Sequence, residues 1–189
     1  MSEFDDATHL NDDGAGEIHS GWDINGNANG GYLLALAARH LRAVSGRPDP
    51  VSITGHYLAP GKPGPMQVDA SVVKAGRRFA TVSGQMHAAG RPLLQLVGAF
   101  GDLSQPGSGY EHLASGPPEL PPFAACVPRS RRQGQVEVAM MDRLEVRIHP
   151  DHAGWVHNDR NGVAEMAGWF GFADGRAVDT LALLMVCDA

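Results

Sequence analysis

Asn29-Gly30-Gly31-Tyr32-Leu33-Leu34-Ala35-Leu36-Ala37-Ala38-Arg39-His40-Leu41-Arg42-Ala43-Val44, followed by Val51-Ser52-Ile53-Thr54-Gly55-His56-Tyr57-Leu58-Ala59-Pro60-Gly61, is the stretch on which the fold turns. Leu33, Leu36, Ala37, His40, Leu41 and Val44 recur at helical spacing, which predicts a core helix running to about Ser45. Gly46-Arg47-Pro48 stops it, as Gly and Pro do just past a helix end. At the start, Gly30 and Gly31 have no side chains to block approach to the free first-turn N–H groups. Those donors and the positive end of the helix dipole suit an oxygen that carries or develops negative charge. A glycine pair that only lets the helix pack closely on a strand would read the same way.

Four strand patterns follow, over Val51–Ala59, Met66–Ala75, Arg77–Ala88 and Pro92–Gly101. Pro60-Gly61-Lys62-Pro63-Gly64-Pro65, Ala75-Gly76 and Ala89-Gly90 divide them. The last two divisions are tight enough for hairpins, so the strands are expected to be antiparallel. A short strand over residues 16–24 ends at Trp22, and Asn25 to Asn29 form a polar turn. The expected class is α+β, one long apolar helix buried by an antiparallel sheet that curls around it.

The helix pattern recurs at Val178-Asp179-Thr180-Leu181-Ala182-Leu183-Leu184-Met185-Val186-Cys187-Asp188, and Trp22 and Trp169 precede the two copies at similar distances. The organisation expected is a disordered acidic arm over 1–14, a first domain over 15–102, a Pro/Gly-rich linker over 103–135 and a partial second domain over 136–189. In that second domain Val136–Ile148 and Val163–Gly175 read as strands. Its helix is apolar almost all round, which is untenable in isolation. Either the first half or another subunit covers it, or the chain is the front part of a longer protein, which is the expectation here.

With 43% hydrophobic and 19% charged residues in 189, the chain can bury a real core. Its net charge of −6 argues against nucleic acid or an anionic membrane as partner. Residues 1–17 hold Glu3, Asp5, Asp6, Asp12, Asp13 and Glu17 with no Lys or Arg, unlike a signal or transit peptide. No apolar run approaches the ~20 residues that span a bilayer. Cys126 and Cys187 lack metal spacing and read as reduced thiols, so a cytoplasmic location is expected.

Asn29-Gly30-Gly31-Tyr32, Val51 through Gly61, Ala75-Gly76-Arg77-Arg78-Phe79-Ala80-Thr81, Gly90-Arg91-Pro92, and Trp169 ahead of Ala177 through Leu184 together resemble the acyl-CoA thioesterase II family. The resemblance covers residues 16–101 and 136–189. It implies a double hotdog fold with the second copy incomplete, hydrolysis of a fatty acyl-CoA to free acid and CoA, and no cofactor. It also implies pairing of hotdogs, a homo-oligomer built as a dimer of double hotdogs. In the family a catalytic Asp sits late on the second helix, with a Thr and a Gln further on. Asp188 falls on the Asp position, and the other two would lie beyond Ala189.

Asp188 also stands out by itself, as a carboxylate on the face of Leu181, Leu184 and Met185 near a helix C-terminus. Both placements are unfavourable for a negative charge, which suggests a task, here a base for water. A terminal Asp facing solvent is the plainer alternative. Gly30, Gly31 and Tyr32 would offer backbone N–H groups to the thioester carbonyl. His56 is grouped with them as substrate-binding, although a lone His on a strand, like His40 on the helix, is more often a satisfied core residue. Asp179 and Thr180 suit an N-terminal cap.

His149, Asp151, His152, His157 and Asp159 crowd one loop, but their intervals match no zinc pattern, so no metal is expected. Arg129, Arg131 and Arg132 could meet CoA phosphates or simply be a solvated linker. Rival functions are a non-catalytic acyl-CoA-binding protein and an enoyl-CoA hydratase or dehydratase. The latter needs Asp-x-Asn-x-x-His, and after Asp23-Ile24-Asn25 the His position holds Ala28.

Overall fold

The computed structural model describes residues 2–105, 112, 114–129, 132–133, 136–154 and 164–188. The chain divides into two compact units, Met1–Pro106 with Val178–Ala189, and Gly107–Ala177.

In the first unit a short helix α1 (Glu3–Ala7) precedes strand β1 (Ala15–Ile18), the small pair β2 (Asp23–Ile24) and β3 (Asn27–Ala28), and the long helix α2 (Gly30–Ser45). Strands β4 (Asp49–Tyr57), β5 (Gly64–Ala75), β6 (Ala80–Ala88) and β7 (Arg91–Gly101) follow. They form one antiparallel sheet in the order β1-β5-β6-β7-β4. Both expected hairpins are there. The β6–β7 turn has Ala89 at φ 49° and Gly90 at φ 74°, left-handed values that match the twist of paired strands. The β5–β6 connection is longer than Ala75-Gly76, because Phe79 O accepts from Gly76 N and closes a wider turn.

The core lies between α2 and the sheet. Leu33, Leu36, Ala37 and Leu41 of α2 are buried, and so are Val68, Val82, Met86, Leu94, Leu96 and Phe100 of the strands. Helix and sheet approach so closely at Gly84 that a Cβ there would lie 2.7 Å from Leu41 Cδ1. Asn29 caps α2 with its side-chain oxygen on Tyr32 N, and Gly46 closes it at φ 63°, the left-handed residue such an end favours.

The N-terminal segment departs from the expected disordered arm. Ser2 caps α1, Phe4 is fully buried, and its ring meets Trp22 edge-on at 5.6 Å. Trp22 in turn stacks on Tyr32 at 5.5 Å. Arg39 pairs with Asp5 at 2.9 Å. The acidic residues that suggested a solvated tail occupy the first turn of a helix, where negative charge is favoured. The strand expected over 16–24 ends at Ile18; residues 23–28 instead fold back as β2 and β3 about Asn25-Gly26 at φ 51° and 74°.

The second unit contains β8 (Val127–Pro128), β9 (Arg132–Gln133) paired with β10 (Val136–Glu137), β11 (Leu144–Ile148) and β12 (Gly168–Phe172). Antiparallel order β12-β11-β8 packs over buried Cys126, Met140, Leu144, Ile148 and Phe172. The single strand expected over Val136–Ile148 is broken by a 3-10 turn at Ala139–Asp142 that buries both methionines. Of Val163–Gly175, Gly168–Phe172 is strand and Val163 lies outside the described residues.

Helix α3 (Thr180–Val186) follows and packs within the first unit. Asp179 caps it as expected, its Oδ1 accepting from Ala182 N at 2.8 Å. Thr180 Oγ1 donates to Asp49 Oδ1 at 2.9 Å. Leu181, Ala182 and Met185 are buried, whereas Leu183 is 52% exposed. The end of α3 meets the start of α2, and Asp179 at its start lies within electrostatic reach of Arg42 near the end of α2. The two helices therefore run antiparallel.

Candidate active site

Antiparallel packing carries Asp188, two residues past the end of α3, to the first turn of α2. Its Oδ2 accepts from Gly31 N at 3.0 Å and from Asn29 Nδ2 at 3.0 Å. Asn29 Nδ2 also donates to Asp188 O at 2.8 Å. The carboxylate thus sits on the helix N-terminus, where donors and dipole both favour it. The unfavourable C-terminal position on its own helix is offset by the neighbouring one. Among the described residues nothing donates to Asp188 Oδ1 and nothing accepts from Gly30 N.

Both glycines are closely approached, Gly30 by side chains and Gly31 by backbone. A Cβ on Gly30 would lie 2.9 Å from Asp188 Oδ2 and 3.3 Å from the Tyr57 ring; one on Gly31 would lie 2.6 Å from Met185 O. Tyr57 reaches across from β4 and donates its hydroxyl to Gly30 O at 2.8 Å. Burial raises the Tyr57 hydroxyl pKa above its ordinary value, and the Asp188 charge adds to the rise. A cleft of about 430 Å³ opens at this point, lined by Gly30, Gly31, Leu34, Tyr57, Leu184, Cys187 and Asp188. It brings together a carboxylate, backbone donors and an apolar wall.

Three of the five residues singled out from the sequence, Gly30, Gly31 and Asp188, meet here. Tyr32 does not offer its N–H, which donates to Asn29 Oδ1 at 2.9 Å. Its ring is a core pillar, with the hydroxyl donating to Ala7 O at 2.8 Å and accepting from His19 N at 3.1 Å. His56 is not brought to the site. Gly55 abuts Leu34 and Tyr57 reaches Gly30, so both face α2, and the two-residue period of a strand turns His56 to the other face. There it stands exposed, opposite Gln95. The alternation was readable: Ser52, Thr54 and His56 are the polar set, Ile53 and Tyr57 the apolar one. Asn29 and Tyr57 carried no role in the sequence reading. An Asn directly before a helical glycine pair is a cap signal, but its second bond spans 159 positions and has no local signature.

His40 is buried in the first unit, and a Cβ on Gly14 would lie 3.0 Å from its Nε2. In the second unit, His149 Nδ1 accepts from Asp151 N at 3.2 Å and His152 Nδ1 accepts from Ala167 N at 3.1 Å, which ties both rings to the backbone. His157, Asp159 and Arg131 lie outside the described residues. Among the described residues no three His, Cys, Asp or Glu side chains gather as metal ligands, and no helix is long and apolar enough to cross a membrane.

Residues 18–101 match the family described as acyl-CoA thioesterase N-terminal domain, and residues 120–189 match the acyl-CoA thioesterase C-terminal domain. The uncharacterized proteins Rv0499 of Mycobacterium tuberculosis and Mb0510 of Mycobacterium bovis are 28% identical over 93 residues, covering 46% of this chain and 32% of each relative. The chain thus matches about a third of the length of these relatives. A candidate thioesterase II from Thermobifida fusca superimposes with TM-score 0.84 at 28% identity, over 100% of this chain and 71% of that one. A protein of unknown function with a hot dog fold from Alicyclobacillus acidocaldarius gives TM-score 0.82 at 22% identity, over 100% and 69% of the two chains. The acyl-CoA thioesterase II TesB2 of Mycobacterium marinum gives 0.57 at 19%, over 84% and 58%.

Proposed function

This chain belongs to the acyl-CoA thioesterase family and has its hotdog fold, and on that premise we propose that it hydrolyses a fatty acyl-CoA to free acid and coenzyme A. Asp188 is the base. With Oδ2 held by Gly31 N and Asn29 Nδ2, Oδ1 is the oxygen left to take a proton from water. The water oxygen adds to the thioester carbonyl carbon, and the Gly30 N–H at the positive end of α2 receives the developing oxyanion. Collapse expels the CoA sulfur, which recovers the proton from Asp188. One positioned oxyanion donor contributes ~3–4 kcal/mol to such a transition state. The acyl chain runs along the apolar side of the cleft, past Leu34 and Leu184.

The observation that carries this reading is the Asp188 carboxylate seated on the first turn of α2 in an open cleft. Thiol release from a panel of acyl-CoAs tests it. Asp188→Asn keeps the shape of the side chain and removes its basicity, so kcat is expected to fall about 100- to 10,000-fold. Activity that survives the change removes Asp188 as the base. The second reading is acyl-CoA binding without turnover. It is favoured by the Gly31 N–H being already spent on Asp188, as in a structural tie. Tight binding with no thiol release from the unaltered chain would select it.

A further inference from the structure

We propose that the groove walled by Pro60, Lys62, Pro65 and Arg91 holds the phosphates of the coenzyme A arm of a substrate whose thioester lies at Asp188. The inference rests on the acyl-CoA reading of the Asp188 cleft and extends it to the far end of the ligand.

Three clefts of the first unit share walls in series. The Asp188 cleft shares Gly30 and Tyr57 with a second, of about 310 Å³, whose other walls include Ala28, Leu33, Leu58 and Pro60. That second cleft shares Pro60 with a third, of about 290 Å³, lined by Lys62 and Arg91. The shared walls thus set the clefts in order, from the carboxylate by way of the Tyr57 ring and an apolar middle to two cations. An acyl-CoA presents its chemistry in the same order: thioester, uncharged pantetheine arm, then phosphates.

The lining of the third groove includes two cations and no acid, in a chain whose net charge is −6. Both cations stand on constrained backbone. Lys62 lies between Pro60 and Pro63, and its Nζ donates to Gly26 O at 2.9 Å. Arg91 opens β7 directly after the left-handed Ala89-Gly90 turn, in register with Ala88. A guanidinium binds phosphate through a planar fork and an ammonium as a point charge, and the two complement each other on a polyanion. Lys74, at the opposite end of β5, and Arg78, in the connection that follows it, by contrast do not line this groove.

Calorimetric titration with coenzyme A and with pantetheine, which lacks the phosphates, tests the assignment. The double variant Lys62→Gln/Arg91→Gln is expected to bind coenzyme A about tenfold or more weakly, with a flatter salt dependence and unchanged affinity for pantetheine. In turnover it raises KM more than it lowers kcat. Lys74→Gln/Arg78→Gln, which removes the same charge elsewhere, is expected to leave coenzyme A affinity in place. Equal affinity in the unaltered chain and the Lys62/Arg91 variant overturns the proposal, as does an equal loss in the Lys74/Arg78 control or for pantetheine. Absence of coenzyme A binding by the unaltered chain also overturns it. Binding through Lys62 and Arg91 without thiol release would instead sink hydrolysis and leave the groove standing, whereas hydrolysis of an acyl-pantetheine alone would do the reverse.

Discussion

Asp188 and the first turn of α2 hold each other in place. Two donors converge on one carboxylate oxygen, and the backbone of α3 presses so closely on Gly31 that its missing Cβ is a structural requirement. Gly31→Ala would put a methyl 2.6 Å from Met185 O and 3.0 Å from both Leu184 O and Asp188 Cβ. Backbone atoms cannot swing aside as a flexible side chain does, so the helices must part. The expected cost is about 1–3 kcal/mol in urea unfolding. An unchanged unfolding midpoint would mean that the α2–α3 contact is looser than the geometry implies. At this scale the site was partly legible. The exceptional carboxylate and the glycine pair stand out in sequence, whereas the partners of Asn29 and Tyr57 come from remote segments.

Among the elements, α1 and α3 are each too short to persist alone, since isolated helices below about 12–15 residues are marginal in water. Helix α3 is held by its Asp179 cap, by Thr180 on Asp49 and by burial of Leu181, Ala182 and Met185. Helix α1 is held chiefly by Phe4, which is 0% exposed and contacts Trp22, with Tyr32 O–H donating to Ala7 O. Phe4→Ala is accordingly expected to destabilise the protein by about 3–5 kcal/mol, measured by denaturant unfolding. A disordered arm would show no change. Composition misled here because acidic residues describe a solvated tail and a helix's first turn equally well; the one buried aromatic among them decides, and its burial is tertiary.

On the scale of the whole molecule, the buried stack Phe4–Trp22–Tyr32 couples folding to pH. Burial pushes the Tyr32 hydroxyl pKa up from 10.0 to about 12, with the His19 N–H opposing and the Glu17 charge adding to the rise. The unfolded chain therefore releases this proton first as pH rises. The contribution of neutral Tyr32 is complete below pH 10 and lost between 10 and about 12, amounting to about 2–3 kcal/mol. Unfolding free energies measured across that window should fall by this much more for the unaltered chain than for Tyr32→Phe. Parallel pH profiles for the two would refute the linkage. Tyr57 is half exposed, and solvent screening makes its share smaller.

Local pattern was enough for the long helix, its glycine-opened start, its Gly46 stop and the antiparallel meander, because spacing of apolar residues and turn chemistry act within a few positions of themselves. It was enough, too, to mark Asp188 as a misfit. Which helix end would receive that carboxylate, which partners Asn29 and Tyr57 would find, and whether the first residues would be buried depended on contacts between segments far apart in the chain. Those are set by how α3 lies antiparallel on α2 and how Trp22 fills the space between α1 and Tyr32. No period within a single segment encodes them.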